Sequence, residues 1–274
     1  MKKTIFITGS TDGIGKLAAI RLAKEGHEIY LHGRNSDKLD RVIEEVKQQS
    51  GNDQIKGFLA DFSDLTAVKQ MASQVLTEVS KIDVLINNAG IFKSSVPQTI
   101  DGLDIRFAVN YFAPYLLTRE LRPLLNQGTA PRLINLSSAA QAPVSHAALA
   151  GNGPSSVQGA YAQSKLALTM WSFHLAAAHP ELVTIAVNPG SLLNTNMVRE
   201  AYGRHWSSAD KGGNILFDLA LSEEYSSDSG KYFDNDKGEE KGSFGEAHGD
   251  AYDKGKVGSL IRLTDQFLAS KALA

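Results

Sequence analysis

Short runs of apolar and β-branched residues alternate with longer segments of helical spacing along the first two thirds of the chain. Each run is long enough for one strand, and they read KTIFIT, HEIYLH, IKGFLA, IDVLIN, PRLINLS and VTIAVN. Apolar residues recur with the period of a helix in the segments Ile14 to Glu25, Lys38 to Gln49, Asp64 to Val79 and Asp101 to Leu125. Strands that alternate with helices indicate βαβ units, so a parallel sheet with helices on both faces is predicted.

No linker or change of composition divides the chain before about residue 190. We therefore predict an α/β protein with a single domain over residues 1–274, built as a doubly wound (Rossmann) fold of three layers around a parallel sheet. Residues 191–225 are predicted to form a substrate-side loop or lid. Residues 226–274 are predicted to form a C-terminal strand, a polar turn and a last helix from Val257 to Ala269.

Composition and charge narrow the range of partners. The formal net charge of -2 supplies no basic patch, so neither a nucleic acid nor an anionic membrane is expected as a partner. The chain has no Cys, which excludes disulfides, thiolate metal ligands and a Cys nucleophile and fits a reducing compartment. The apolar run TIFI is too short for a signal peptide, and no run reaches the roughly 18 residues of a membrane span. We predict a cytoplasmic protein.

The polar turn contains FDNDKGEE, which resembles the start of a calcium loop. Its glycine comes one place too early for the Asp-x-Asp-x-Asp-Gly pattern, so a solvated turn is predicted and no metal site is expected.

A cluster of glycines lies between the first strand and the first helix, in the sequence Thr8-Gly9-Ser10-Thr11-Asp12-Gly13-Ile14-Gly15. Glycines at this place permit a tight turn and let the backbone approach a pyrophosphate. The N-terminus of the following helix offers unpaired N–H groups to the phosphates. The turn therefore predicts a dinucleotide site.

Tyr161 and Lys165 are four residues apart within AYAQSKLA, a run of good helix formers. One helical turn brings the two side chains together, and a lysine ammonium near a tyrosine favours the phenolate and lowers the tyrosine pKa. Such a pair can deliver a proton during a reaction. Tyr252 and Lys256 have the same spacing, but they lie in a polar stretch rich in glycine, and a surface pair is predicted there.

These pieces together resemble the short-chain dehydrogenase/reductase family along nearly the whole chain. The resemblance is carried by the spacing Thr-Gly-x-x-x-Gly-Ile-Gly, by Asn87-Asn88-Ala89-Gly90, Asn110, Asn135-Leu136-Ser137-Ser138, the pair Tyr161 and Lys165, and Pro189-Gly190. The wording VNYFAPYLLT, AYAQSKLA and SGKYF is most similar to the branch of retinol dehydrogenases and related carbonyl reductases.

The resemblance implies a catalytic set of Ser138, Tyr161, Lys165 and Asn110. In the family the tyrosine gives a proton, the lysine also holds the nicotinamide ribose, the serine polarises the carbonyl and the asparagine supports a water-linked proton path. The chain departs from the family pattern at two places. The segment between Ser138 and Tyr161 is longer than in compact members, and the family's threonine four residues after the glycine is replaced by Asn194, with Thr195 one place later.

The second strand indicates which nicotinamide cofactor binds. A carboxylate about 20 residues beyond the glycines accepts hydrogen bonds from the ribose of NAD, but YLHGRN has none. Gly33 leaves room, and Arg34 offers a guanidinium suited to a 2′-phosphate, so NADP(H) is predicted. With the contacts that the resemblance implies, the expected cofactor residues are Gly9, Thr11, Asp12, Gly13, Ile14, Gly15, Arg34, Asn35, Asp61, Phe62, Asn88, Ala89, Gly90, Tyr161, Lys165, Pro189, Gly190, Asn194 and Thr195.

The predicted function is an NADP(H)-dependent oxidoreductase that reduces a neutral, apolar aldehyde or ketone or oxidises the alcohol. A non-catalytic NADP(H)-binding regulator and a carbon–carbon double-bond reductase remain as alternatives. The apolar substrate is inferred from residues 139–160, which contain no Asp, Glu, Lys or Arg and only His146 as a titratable group. In the family this segment borders the substrate together with the later loop, which here contains Leu192, Leu193, Met197, Tyr202 and Trp206. Arg199 and Arg204 are the groups that could instead bind a carboxylate.

A homo-oligomer, either a dimer or a tetramer, is also expected. The family pairs two helices across its dimer seam, and here they would be VNYFAPYLLTRELRPLL and AYAQSKLALTMWSFHLAAA. Both are apolar around more of their surface than one sheet face can cover.

Overall fold

The computed structural model describes residues 1–152, 156–238 and 241–273. These residues contain one eight-stranded sheet in the order β3-β2-β1-β4-β5-β6-β7-β8. Its strands are β1 (Thr4–Ile7), β2 (Glu28–Gly33), β3 (Ile55–Leu59), β4 (Val84–Asn87), β5 (Arg132–Leu136), β6 (Val183–Asn188), β7 (Lys231–Asp234) and β8 (Ser243–Gly245). The strands from β1 to β7 pair in parallel, and the prediction of a single-domain, doubly wound fold is confirmed. The short edge strand β8, which was not predicted, runs antiparallel to β7.

Helices cover both faces of the sheet. One face carries α1 (Gly13–Lys24), α2 (Ser36–Ser50) and α9 (Ala209–Leu221), whose apolar side chains form one core with the strands. The other face carries α3 (Leu65–Glu78), α5 (Ala113–Asn126) and α7 (Val157–Ala178), which form the second core. The short helices α6 (His146–Leu149) and α8 (Asn196–Tyr202) lie in the connections after β5 and β6.

The helix predicted from Asp101 to Leu125 begins later and is irregular. Asp104 caps its first turn, α4 (Ile105–Phe107), and a π-helical turn over Ala108–Phe112 leads into α5. Pro114 accounts for the irregularity, because it has no N–H to donate to the carbonyl of Asn110, its partner in an α-helix. The π-helical turn therefore contains Asn110, the predicted catalytic asparagine.

The last helix, α10 (Lys254–Ser270), begins three residues before the predicted Val257. The Asp253 carboxylate caps it by accepting from the amides of Gly255 and Lys256, so the glycines of this stretch do not prevent a helix. Lys256 lies in its first turn and pairs with Asp250 at 2.6 Å, whereas Tyr252 lies in the preceding 3₁₀ turn and is 54% exposed. Both residues of this second pair are on the surface.

Across residues 1–152, 156–238 and 241–273, none of the helices is both long enough and apolar enough to cross a bilayer. In the same residues no group of His, Asp and Glu side chains is arranged to hold a metal ion. Residues 239 and 240 of the turn that resembles a calcium loop lie outside the described ranges.

Candidate active site

A cavity of about 870 Å³ lies at the carboxyl ends of the parallel strands. It extends from Arg34 after β2, past the glycine turn, to Tyr161 and Lys165 on α7. This edge of a doubly wound sheet is where such folds bind ligands. The other predicted residues that line the cavity are Gly9, Thr11, Asp12, Gly13, Ile14, Asp61, Phe62, Asn88, Ala89, Gly90, Ser138, Pro189, Gly190 and Thr195.

The glycine turn requires glycine at two positions for different reasons. Gly9 has a φ of +62°, and a Cβ there would lie 2.7 Å from the Cα of Ala89. At Gly15 a Cβ would collide with the side-chain amide of Asn88. Gly15 does not line the cavity, so it serves the packing of α1 against the strand ends.

Asn88 holds the turn in place from below. Its side-chain amide donates to the carbonyls of Thr8 and Gly9, at 2.9 and 2.8 Å. The hydroxyl of Thr8 accepts in return from the backbone amides of Asn88 and Ala89. These bonds join the ends of β1 and β4 beneath the predicted dinucleotide.

His32, which the sequence analysis did not select, completes the far end of the cavity. Its Nδ1 accepts from the Gly9 amide at 3.0 Å, its Nε2 lies 3.0 Å from the carbonyl of Ala60, and its ring stacks on Phe62 with centroids 4.2 Å apart. These partners require a neutral ring with the proton on Nε2. Burial lowers the pKa of His32 to about 4, which keeps that state at neutral pH. His32 thus ties the glycine turn to the ends of β2 and β3.

Two cations border the cavity near the predicted 2′-phosphate site. Arg34 is exposed at the end of β2, and no hydrogen bond or ion pair joins it to another residue within the described ranges. Lys38, a residue that the sequence analysis missed, also lines the cavity and pairs with Asp12 at 2.9 Å. Asn35 lies outside the lining, since its side chain caps α2 by accepting from the Lys38 amide.

Tyr161 and Lys165 lie on one face of α7, as their spacing predicts. The ammonium of Lys165 is 5.6 Å from the centroid of the Tyr161 ring and donates to the carbonyl of Leu136 at 2.7 Å. Lys165 is 4% exposed, and its burial lowers the pKa to about 7. The ring of Phe92 meets that of Tyr161 edge-on at 4.9 Å.

Asn110 lies behind the cavity rather than on its wall. Its side chain accepts from the amide of Ile91 at 2.8 Å and donates to the carbonyl of Ile91 at 3.0 Å. A Cβ placed on Gly90 would lie 3.3 Å from Oδ1 of Asn110 and 3.5 Å from Nζ of Lys165. Asn110 therefore holds the loop that follows β4 at Ile91, next to the ammonium of Lys165.

Ser138 lies at the end of β5 and lines the cavity. Its carbonyl accepts from the hydroxyl of Tyr232 and from the side-chain amide of Gln141, both at 3.0 Å. Ser137 is buried, and its hydroxyl bonds to Thr169 and to the carbonyl of Lys165. The hydroxyl of Ser138 has no such buried side-chain partner among the described residues and accepts instead from the backbone amide of Ala140 at 3.1 Å, so Ser138 is the better placed of the two serines to act on a substrate.

The turn at Pro189-Gly190 is fixed by the segment that resembles a calcium loop. Asp236 accepts from the amide and hydroxyl of Ser191, at 2.8 and 2.5 Å, and from the side chain of Asn188 at 2.8 Å. Burial would raise the pKa of Asp236, but the hydrogen bonds from Ser191 and Asn188 outweigh it and lower the pKa, so the group stays a carboxylate.

The two candidates that follow this turn are placed differently. Thr195 lines the cavity, with its methyl group 3.5 Å from where a Cβ on Gly13 would lie, and it caps α8. Asn194 is exposed and does not line the cavity.

The substrate side of the cavity is largely apolar. Its wall includes Phe92, Ile105, Val109, Leu192, Leu193, Met197, Val198 and Trp206. The side chain of Tyr202 lies outside what the structure describes. Between residues 139 and 160 only Ala139 and Ala140, among those described, line the cavity, so this segment borders it less than expected.

On the substrate loop, Glu200 and Arg204 are the charged residues that line the cavity within the described ranges. Arg204 lines it and stands over the Trp206 ring at 5.8 Å, whereas Arg199 bonds to Asn196 and lies outside the lining. Lys93 also borders the mouth, where its ammonium donates to the carbonyls of Glu200 and Ala201 at the end of α8. Arg204 is therefore the remaining candidate for a carboxylate anchor on the substrate loop.

The short chain dehydrogenase family matches residues 3–205. The chain belongs to this family. Mouse retinol dehydrogenase 12 is 31% identical over 248 residues, which are 86% of this chain and 78% of that protein. Human polyprenol dehydrogenase is 31% identical over 210 residues, 73% of this chain, and the match spans only 63% of that protein.

A solved short chain dehydrogenase of Escherichia coli CFT073, in complex with NADPH, superposes with a TM-score of 0.71 at 26% identity. The match covers 85% of this chain and 95% of that chain. Together with the relatives above, it confirms the predicted family and its retinol-dehydrogenase-like branch.

Three of the side chains that were not selected from the sequence act on backbone groups of the site that are distant along the chain. The separations are 23 residues for His32 and Gly9, 45 for Asp236 and Ser191, and 94 for Tyr232 and Ser138. Gln141 is only three residues from the carbonyl of Ser138 that it holds. The run FDND was a visible signal for Asp236, although it indicated a turn and not the site. His32 and Gln141 have no local signal in this single sequence.

Proposed function

We propose that the chain is an NADP(H)-dependent reductase of a neutral, largely apolar aldehyde or ketone, working in reverse as an alcohol dehydrogenase. The observation that carries this proposal is the position of Ser138, Tyr161 and Lys165 around one cavity that continues to the glycine turn. A site that only binds a dinucleotide needs the turn but not a hydroxyl, a phenol and a buried ammonium at its other end.

The residues present fit NADP(H). At Gly9 and Gly13 no side chain covers the backbone, so the amino end of α1 is open to a pyrophosphate. The stacked rings of His32 and Phe62 line the same cavity. Arg34 and Lys38 would hold the 2′-phosphate, because guanidinium and ammonium groups bind phosphate oxygens strongly. The NADPH in the Escherichia coli relative supports the same choice. When bound, the cofactor supplies the hydride.

The chain's own residues would supply the proton. The Tyr161 hydroxyl donates to the carbonyl oxygen as negative charge develops there, and the Ser138 hydroxyl donates a hydrogen bond to the same oxygen. Lys165 lowers the tyrosine pKa when it is protonated, and its own pKa of about 7 leaves a large charged fraction at neutral pH. Solvent returns the proton to Tyr161 after the alcohol leaves.

The proposed substrate is apolar because Phe92 packs against Tyr161 and the apolar side chains Leu192 and Met197 line the same cavity. A carboxylate placed against that wall would lose hydration without gaining a cation, at a cost of several kcal/mol. The similarity to enzymes named for retinol and polyprenol, which are apolar alcohols, points the same way.

The reaction is tested by following NADPH oxidation over a panel of aldehydes and ketones, with product analysis. Tyr161→Phe should lower kcat by about 10² to 10⁴ and leave NADPH binding intact, since only the proton donor is lost. Tyr252→Phe, with the same spacing to a lysine, should keep full activity. NADPH binding with no carbonyl turnover would favour a regulator, and a saturated product from an enone would favour double-bond reduction.

Substrate polarity is tested by comparing an apolar ketone with an analogue that bears a carboxylate. The ketone should have the higher kcat/KM. A preference for the acid that disappears in Arg204→Ala would overturn the apolar assignment and identify Arg204 as its anchor.

A further inference from the structure

The helices that the sequence analysis assigned to a dimer seam are covered in the structure. The large side chains at the end of the π-helical turn, on α5 and on α7 have little contact with solvent: Tyr111 and Phe112 are 0% exposed, Trp171 3% and Tyr115 8%. These side chains also contact each other, with the rings of Tyr115 and Trp171 5.4 Å apart. The apolar surface that predicted a partner is therefore already buried within one chain.

The cover is α10. The hydroxyl of Tyr111 bonds to that of Thr264 at 2.7 Å, and the hydroxyl of Tyr115 donates to the carboxylate of Asp265 at 2.6 Å. The buried residues on the inner face of α10 are Val257, Leu260, Thr264 and Leu268. Val257, Leu260 and Leu268 belong to the same apolar core as α5 and α7. The inner face of α10 therefore makes both hydrogen bonds and apolar contacts with the helices that it covers.

The outer face of α10 has the opposite character. Its exposed residues include Lys256, Arg262, Asp265, Gln266 and Ser270. None of the large apolar side chains exposed within the described ranges belongs to α5 or α10, and the one on α7 is Val157 at its first position. A stable subunit interface needs a desolvated, largely apolar centre, and this surface does not provide one.

The C-terminal segment also reaches the candidate active site. The backbone amide of His248, shortly before α10, donates to the side-chain oxygen of Gln141 at 3.0 Å. The amide group of Gln141 in turn donates to the carbonyl of Ser138. The support of Ser138 is therefore built from residues of the same chain.

We propose that this protein is a monomer in which α10 takes the place of a partner subunit on α5 and α7. The proposal replaces the homo-oligomer expected from the sequence. It does not depend on the proposed reaction, since its tests measure mass and accessibility and not turnover.

The first test is the mass of the full chain by sedimentation equilibrium over about 1 to 100 µM, a range that reveals association by mass action. A constant 29.5 kDa is expected. Twice that mass, or a mass that rises with concentration, would overturn the proposal.

The second test uses the absence of cysteine from the chain, so that one introduced thiol reports on one position. Thr264→Cys places a small thiol on the buried face of α10, and the matched control Gln266→Cys places one on the exposed face. In the native protein Thr264→Cys should react with a thiol reagent at least about 10²-fold more slowly, because labelling requires α10 to open. Equal rates would show that α10 does not cover the seam.

Two further measurements support the test. Adding Asp265→Ala to Thr264→Cys removes the partner of Tyr115 and should speed labelling several-fold, whereas adding Arg262→Ala, at an exposed residue that bonds to Ser259 of the same helix, should not. The second measurement does not depend on how the Thr264→Cys variant folds. Hydrogen exchange on the unaltered chain should show the amides of α10 protected like those of α7. Exchange of α10 as fast as that of the chain ends would contradict the proposal.

Discussion

Replacing Lys165 by Met should change how the stability of the protein depends on pH. Lys165 is buried, and its pKa falls from 10.5 to about 7 because the ammonium is desolvated. Between these two values the unfolded chain holds a proton on Lys165 that the folded chain has lost. Stability therefore rises with pH across this window, and the contribution of the residue is least favourable below pH 7.

The size of the effect follows from the two pKa values. Each pKa unit corresponds to 1.36 kcal/mol, so the charged lysine costs the fold about 5 kcal/mol below pH 7. From pH 7 to pH 9 the wild-type chain should regain about 2 kcal/mol of that cost. Methionine is close to lysine in length and cannot ionise, so Lys165→Met has no such dependence, although it loses the hydrogen bond to Leu136, worth about 1 kcal/mol.

The assay is urea unfolding of both proteins at pH 7 and pH 9 without cofactor, extrapolated to water. At pH 7 the Lys165→Met variant should be the more stable protein, and its advantage should shrink by about 2 kcal/mol at pH 9. Lys256→Met, which alters an exposed lysine of the second pair, should differ from wild type by the same amount at both pH values. A difference for Lys165→Met that does not change with pH would refute the burial of a titrating lysine.

Three further substitutions test the supports of the site. Arg34→Ala should lower the affinity for NADPH by about 10-fold or more and change the affinity for NADH little, because a charge-assisted bond to the 2′-phosphate is worth about 1.5 to 3 kcal/mol. Equal losses of affinity for the two cofactors in a fluorescence titration would contradict a phosphate contact. Tyr232→Phe removes a donor to the Ser138 carbonyl and should lower kcat about 10-fold with an unchanged Kd for NADPH. If the variant instead loses only affinity for NADPH, Tyr232 does not act through Ser138. Asp236→Ala removes the hydrogen bonds that hold the turn at Gly190 and should raise the Kd for NADPH several-fold more than the control Asp228→Ala does. Equal Kd values in these two variants would show that the turn keeps its conformation without Asp236.

The parts of the fold that local sequence determines were predicted closely. Five of the strands from β1 to β6 fall within their apolar runs, and β2 extends one residue beyond its run to Gly33. The central strands are buried on both faces and therefore need apolar side chains at consecutive positions. The starts of α1 and α3 follow Asp12 and Asp64, whose carboxylates cap them. Local chemistry also explains why the glycine turn and the Tyr161 pair could be selected for the site.

The parts that depend on distant contacts could not be predicted. The bond from His248 to Gln141 joins residues 107 apart, and neither carries a local signal. Asn35 and Asn194 show the converse, since they occupy positions in a motif, yet one caps a helix and the other is exposed away from the cavity. A motif gives the order of residues along the chain, but the direction of each side chain is decided by packing.

The expected oligomer shows how far an apolar surface can be interpreted. An excess of apolar residues on α5 and α7 requires that some element covers them, but it does not say which chain supplies that element. When a helix of the same chain covers the surface, the entropy lost is that of closing a loop, whereas a second subunit also loses translational and rotational entropy. Tethering corresponds to an effective concentration of about a millimolar or more, so a partner of equal affinity could not displace α10 at ordinary protein concentrations. The property that decides between the two is the outer face of α10, the surface that a second copy would meet if α10 is the cover, and there Arg262, Asp265 and Gln266 are exposed.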